Sequence, residues 1–326
     1  MLTHIQLPHT CPRRVSFFLA MEEYLARHTD WECFFTWIVP PSVIVGRNQL
    51  IANEVNMEFC QQNGITLFRR KSGGGCVYAD EGNVMLSYVG SGGDVQAAFS
   101  RYVNRVAHAL SAVGIPSVAV SGRNDILVDG RKVSGNAFYH LHDRNIVHGT
   151  LLYDTRMDFM TGCLTPDNQK LEVKGIHSVN QRITLLKRHY PHSLPALVSQ
   201  LEEAMTDGHR QLTETDINAI FEIEQEYCSP DFLYGHEPAY TLQRHFYKKG
   251  CGSIAVSLTI RHNVIQKIKA SGDYLELADA EALVFSPLVG VPYTRDDITR
   301  QCNSIDVSRI IMNLTNRELI DLILTT

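Results

Sequence analysis

The chain has 326 residues, 44% hydrophobic, 20% charged and 9% aromatic, with a net charge of −5 and eight cysteines. That is room for a full core and about two domains, in the composition of an ordinary globular protein rather than a disordered or fibrous one. The acidic balance argues against a broad nucleic-acid surface, no apolar run nears the roughly 18 residues of a membrane span, and the absence of any C-x-x-C pair indicates neither a zinc knuckle nor a dithiol redox centre.

Residues 14–28 read as a helix with Phe17, Phe18, Met21 and Leu25 along one face. Residues 33–39 and 43–46 read as strands broken by Pro40-Pro41. A strand over 65–69 enters a glycine loop, Arg69-Arg70-Lys71-Ser72-Gly73-Gly74-Gly75-Cys76-Val77-Tyr78, and strands over 76–78 and 84–89 follow. The best helix is 94–113: Val95, Phe99, Tyr102, Val106, Leu110 and Val113 form a stripe, Asp94 caps the start and Gly114 ends it. Stripes of this kind pack cores, and both helices are read that way.

Asp129-Gly130, between 125–128 and the strand that starts at Arg131, is a hairpin signal. A strand over 146–153 follows the polar turn 142–145, and helices over 194–205 and 215–227 come next. In 229–250 the periodicity is interrupted by Pro230, Gly235, Pro238 and the turn Lys248-Lys249-Gly250, so a domain boundary is placed there. Beyond it, 253–259 and 264–270 pair as strands, with helical segments to the end, including 316–324.

The glycine loop lies between strands, unlike the phosphate loop of nucleotide hydrolases, whose glycines open a helix and precede Gly-Lys-Ser/Thr. Three consecutive glycines can wrap backbone N–H groups around an anion; alone, such a triplet is more often a tight turn needing positive φ. Arg69, Arg70 and Lys71 shift that balance, because three like charges repel unless they are solvated or share an anion. Lys132, in Gly130-Arg131-Lys132-Val133-Ser134-Gly135-Asn136-Ala137, can bring a further point charge, although by itself it reads as a surface lysine. Asn124-Asp125 alone reads as a turn, and His148 alone as a satisfied strand histidine. Together they suggest a nucleotide or acyl-phosphate site.

Taken jointly, these segments resemble the lipoate–protein ligase A family. The resemblance is carried by Val45-Gly46-Arg47-Asn48-Gln49, the loop 69–78, Asp80 with Gly82-Asn83, Asn124-Asp125 and the Gly130 to Gly135 segment. It continues through His148-Gly149-Thr150-Leu151-Leu152, Lys174-Gly175-Ile176, Ser178-Val179 and Arg182, and more weakly through Gly235-His236-Glu237-Pro238-Ala239-Tyr240 into the C-terminal segment. It implies an α/β fold of α+β type, related to biotin and lipoate protein ligases. A large domain, 1–240, would hold a mixed β-sheet flanked by helices, and a small C-terminal α+β accessory domain would span 241–326.

The resemblance also implies the chemistry. Such ligases use ATP, with Mg2+, to turn lipoate into lipoyl-AMP, then pass the lipoyl group to a lysine of an acceptor. The acceptors would be lipoyl domains of 2-oxoacid dehydrogenase complexes and the glycine cleavage H protein. Attack of a carboxylate on the α-phosphorus brings two anions together, so cations and oriented donors are required where charge builds up. By resemblance, Arg70, Gly75, Cys76, Val77, Tyr78, Asn124, Asp125 and Lys132 bind the nucleotide. Ser72, Gly73, Gly74, His148 and Lys132 bind lipoate, with Lys132 the catalytic cation. Residues 168–183 resemble a loop that closes over the adenylate. No metal-ligand constellation is readable.

Four positions depart from the family pattern: Phe18 for asparagine, Cys76 for alanine, Ala79 for histidine and Asn180 for arginine. The rival readings are a cysteine-dependent lipoyl or octanoyl amidotransferase that uses no ATP, a non-catalytic lipoyl-domain binding protein, and a biotin ligase. No cysteine lies in the strand around His148, and a pure binder has no need of the loop and Lys132. The remaining expectations are a monomer without nucleic-acid or membrane partners, and a cytoplasmic location, since no secretory segment is visible and reduced thiols are the simpler reading.

Overall fold

The computed structural model describes residues 1–9, 12–49, 51–122, 124–164, 182–234, 242–261 and 264–324. Its strands in chain order are β1 (Leu2–Gln6), β2 (Glu32–Trp37), β3 (Ser42–Val45), β4 (Thr66–Arg69), β5 (Val77–Ala79), β6 (Asn83–Ser91) and β7 (Val118–Ser121). They continue with β8 (Asp125–Val128), β9 (Arg131–Leu141), β10 (Arg144–Leu152), β11 (Gly208–Gln211), β12 (Leu242–Lys248), β13 (Gly252–Arg261) and β14 (Val264–Gly272).

Eight of them form one mixed sheet in the order β11-β1-β2-β6-β10-β9-β8-β7. β1 runs parallel to both β11 and β2, and the other neighbours are antiparallel. Side-chain alternation splits this sheet between two cores. Phe34, Val84 and Leu86 meet the helix Val95–Ala112 through Phe99, Val103 and Val106. Cys33, Phe35 and Met85 meet helix α1 (Val15–His28) through Phe17, Met21 and Leu25. Covered on both faces, β10 has every residue buried. Each large apolar side chain removed from water in these layers contributes about 1.5–3 kcal/mol.

A second sheet, β4-β3-β5, carries the glycine loop between its two outer strands. The third, β12-β13-β14, is antiparallel and has its own core with residues from 251 to 323. Asp94 caps its helix by accepting from Ala97 N–H, and Gly114 past the end has φ +94°, as the sequence suggests. Asp129 (φ +49°) and Gly130 (φ +73°) make the β8–β9 turn, both left-handed as a two-residue hairpin requires.

The structure adds elements that the pattern misses. β12 falls inside the stretch read as interrupted, where the preceding Pro and Gly residues mask a seven-residue strand. β11 is exposed throughout and shows no apolar alternation; its place comes from parallel pairing with β1. Among the described residues no helix is long and apolar enough to cross a membrane.

Candidate active site

The glycine loop crosses the end of β3, where Gly46 sits. A Cβ on Gly46 would run into the carbonyl oxygen of Gly74, and one on Gly73 would stand 2.5 Å from Tyr274 O. Gly74 has φ +91° and donates its N–H to Tyr274 O at 3.2 Å. The loop therefore needs glycine both for close backbone approach and for a left-handed turn.

The three cations before the loop need no shared anion, because each has protein partners. Arg69 donates to the carbonyls of Gly46, Arg47, Gln49 and Leu233. Arg70 donates to Ser72 Oγ, Ile44 O, Gly73 O and Gly75 O at 2.8–3.0 Å. Burial lowers its pKa to about 10, so it stays charged at neutral pH. Lys71 turns the other way, to Glu23 at 2.9 Å and Glu226 at 2.8 Å. Glu23 also accepts from Tyr227; its burial would raise the carboxyl pKa, but Lys71, Tyr227 and Arg27 outweigh that and lower it. With Gly73 O and Gly75 O drawn toward Arg70, trans peptide geometry turns the Gly74 and Cys76 N–H groups away from it.

Lys132 stands at the start of β9, where the pairing with β8 shifts by one residue: Ile126 pairs with Ser134, Leu127 with Lys132. Such a bulge re-aims the side chains around it. The Lys132 ammonium lies 2.6 Å from Asp125 Oδ1, and Arg182 Nη2 lies 2.7 Å from Asp125 Oδ2. Arg182 reaches it because Ile183 bridges to Lys132 and the Thr184 N–H donates to Lys132 O. Burial would raise the Asp125 pKa, but the two cations outweigh it and hold the carboxyl below its usual range. The cluster keeps one net positive charge.

A cavity of about 240 Å³ opens between these parts. All residues assigned by the resemblance line it except Ser72, Gly73 and Asp125, which stand behind its wall. Asn124 lines it while donating through its side chain to Asn136 O. The apolar wall comes from residues that the sequence reading did not single out, notably Leu19, Trp37, Met85 and Met160. Leu19 falls outside the stripe of Phe17, Phe18, Met21 and Leu25 read as the packing face, yet it is buried.

The departures find places too. Phe18 stacks on Trp37 (centroids 4.8 Å, planes 16° apart), and Ala79 is fully buried in β5. Asn180, with residues 168–181 of the expected closing loop 168–183, lies outside the described residues, as does 235–240. Cys76 lines the cavity, but burial pushes its thiol well above the usual range. Burial likewise pushes Cys163 up to about 12. Neither thiol has the lowered pKa that an activated nucleophile needs. Among the described residues no group of three or more His, Cys, Asp or Glu could hold a metal ion.

Comparison with known proteins places the chain among similar sequences and folds. The family model described as lipoyl protein ligase A/B catalytic domain matches residues 15–208, and that of the bacterial lipoate protein ligase C-terminus matches 237–323. The lipoate-protein ligase LplJ of Bacillus subtilis is 32% identical over 318 residues, covering 94% of this chain and 95% of that protein. A lipoate–protein ligase of Streptococcus pyogenes is 30% identical, covering 94% of each. Among solved structures, P. falciparum LipL1 in complex with lipoate has TM-score 0.78 at 18% identity, over 100% of this chain and 98% of that one. Lipoate-protein ligase A bound with ATP has TM-score 0.61 at 22% identity, over 73% and 100%. At these identities the structures speak for the fold.

Proposed function

Because the chain belongs to the lipoyl protein ligase A/B family, we propose that it is an ATP-dependent lipoate–protein ligase. The observation that carries the reading is Lys132 facing a largely apolar cavity beside the glycine loop. An acid with an aliphatic tail would place the tail against Trp37, Leu19 and Met85 and its carboxylate at Lys132. The net positive charge of the Lys132, Arg182 and Asp125 cluster favours that anion. The Cys76 N–H, turned away from Arg70, would add a donor for the nucleotide's α-phosphate.

A carboxylate oxygen then attacks the α-phosphorus, the bond to the β,γ-phosphates breaks, and pyrophosphate leaves. Lys132 neutralises charge on the pentacoordinate phosphorus without giving up its proton. In the second half-reaction a neutral lysine amine of the acceptor attacks the acyl carbon, AMP departs with the electron pair, and the nitrogen releases one proton to water. The acceptors in this reading are the lipoyl domains of 2-oxoacid dehydrogenase complexes and the glycine cleavage H protein. Magnesium would arrive on the triphosphate oxygens, its habitual ligands, since no described protein cluster suits it.

The same reading divides the chain into a catalytic domain, 1–240, and an accessory domain, 241–326, in a cytoplasmic monomer. The separate core of the third sheet supports the division. The deciding experiment is ATP–pyrophosphate exchange with lipoate, octanoate and biotin supplied separately. Exchange driven by lipoate, followed by acylation of a lipoyl domain, is expected. Exchange with biotin alone, or acyl transfer without ATP, would replace this reading.

A further inference from the structure

Two hydrogen-bond chains converge behind the cavity on one buried carboxylate, and we infer that Glu22 is a positioning residue for both the acid and the nucleotide halves of the site. The inference rests on the ligase reading above. Glu22 lies in α1 with no exposed surface. From the glycine loop, Arg70 Nε donates to Ser72 Oγ at 2.9 Å, and Ser72 Oγ is 2.6 Å from His148 Nε2. His148 Nδ1 is 2.9 Å from Glu22 Oε2. From the apolar wall, Trp37 Nε1 donates to Ser87 Oγ at 2.8 Å, and Ser87 Oγ donates to Glu22 Oε1 at 2.5 Å.

The direction of the links follows from their two ends, donors at one and a carboxylate at the other. Arginine and tryptophan can only donate. Ser72 accepts from Arg70; the Glu22 carboxylate takes its hydrogen from His148 Nδ1, and a neutral imidazole so held accepts the Ser72 O–H at Nε2. Ser87 likewise accepts from Trp37 and gives to Glu22. Every link ends on a group that must accept at both oxygens, as an ionised carboxylate does. The far side of the Arg70 guanidinium holds Gly73 O and Gly75 O, so the shape of the glycine loop is tied to Glu22. The orientation of Trp37 in the acyl wall is tied to it too.

Serine, histidine and carboxylate stand here in the order of a nucleophilic triad. Ser72 is placed otherwise: it is fully buried, its oxygen takes the Arg70 N–H, and it does not line the cavity. Its role is to transmit position. An amide at residue 22 would offer one accepting oxygen and two N–H donors, so one chain would have to break or reverse.

The test measures ATP–pyrophosphate exchange by wild type, Glu22→Gln, Glu22→Asp, Ser72→Ala and Ser87→Ala, titrating lipoate and ATP separately, with melting curves for each. Ser87→Ala is expected to raise KM for lipoate on the order of tenfold with KM for ATP nearly unmoved, and Ser72→Ala to do the reverse. Glu22→Gln should raise both, and adding Ser72→Ala to it should change KM for ATP little further, because the two act through one chain. Glu22→Asp should recover part of the loss. If Glu22→Gln does not fold, the opposite shifts of the two serine variants decide. A fall in kcat and melting temperature with both KM values unmoved overturns the inference, as does a lipoyl ester found on Ser72 by mass spectrometry. Wild-type exchange without the split overturns this inference alone, whereas wild type that fails to exchange overturns the ligase reading and this inference with it.

Discussion

The Lys132 ammonium sits 2.6 Å from the Asp125 carboxylate, so it is partnered before any substrate arrives. An incoming carboxylate must compete with Asp125, which Arg182 holds from its other oxygen. This arrangement keeps the Lys132 side chain aimed while the cavity is empty.

Lys132→Ala should fold normally and form no detectable lipoyl-AMP, checked by thin-layer or mass analysis of the adenylate. Lys132→Arg should also be poor, since a planar fork replaces a compact ammonium. Substantial adenylate from a folded alanine variant would remove Lys132 from the mechanism.

Asp125→Asn leaves Lys132 and Arg182 facing each other without their shared anion. Adenylation should fall by about 10–100-fold as the ammonium loses its aim. The folded Asp125 pKa is lowered below the unfolded value of about 3.9. Its contribution to stability is therefore present above that pH and lost as pH falls through the folded value. Urea unfolding of wild type and variant should show a clear gap at pH 7 that narrows below about pH 4.

Cys76→Ala should retain activity within about threefold, and iodoacetamide at neutral pH should not inactivate the enzyme, because the protonated thiol is a weak nucleophile. Rapid inactivation tracking modification of Cys76 would revive the thiol mechanism.

Gly46→Ala should lower the melting temperature and abolish exchange, since its Cβ meets the backbone carbonyl of Gly74 and neither side can yield cheaply. Gly75→Ala is the control for folding: its nearest neighbour would be Asp273 Cβ at 3.8 Å, an ordinary contact. Similar melting curves for the two would contradict the packing described.

Lys71→Met should destabilise the fold by up to about 3 kcal/mol, because the fully buried Glu23 carboxylate keeps Arg27 but loses its ammonium. Chemical denaturation measures this directly. A shift in KM for ATP at unchanged stability would instead mean that Lys71 reaches the nucleotide.

Much of this architecture is legible in the chain itself. The helices Leu194–Met205 and Asn316–Leu324 fall where the sequence reading puts them, and the Asp129-Gly130 hairpin needs only its turn residues. The glycine loop and Lys132 suggest an anion site only when read together, and the structure brings both to one cavity. What stays hidden depends on partners distant in sequence. Arg69, Arg70 and Lys71 look alike as a basic run, yet backbone carbonyls hold two of them and carboxylates the third. Glu22 and Glu23 resemble the wet side of an amphipathic helix; only the folded sheet supplies the His148 and Lys71 that let them be buried. The acyl wall is equally silent, because Leu19 and Met85 differ in no local way from core residues.

The hydrogen bond from Gly74 to the Tyr274 carbonyl links positions 200 residues apart. During synthesis on the ribosome, the loop thus emerges long before the peptide group that finishes it. All eight strands of the large sheet precede that carbonyl in the chain, the last of them ending at Gln211. The glycine loop can therefore take its full set of backbone partners only once residue 274 has been made.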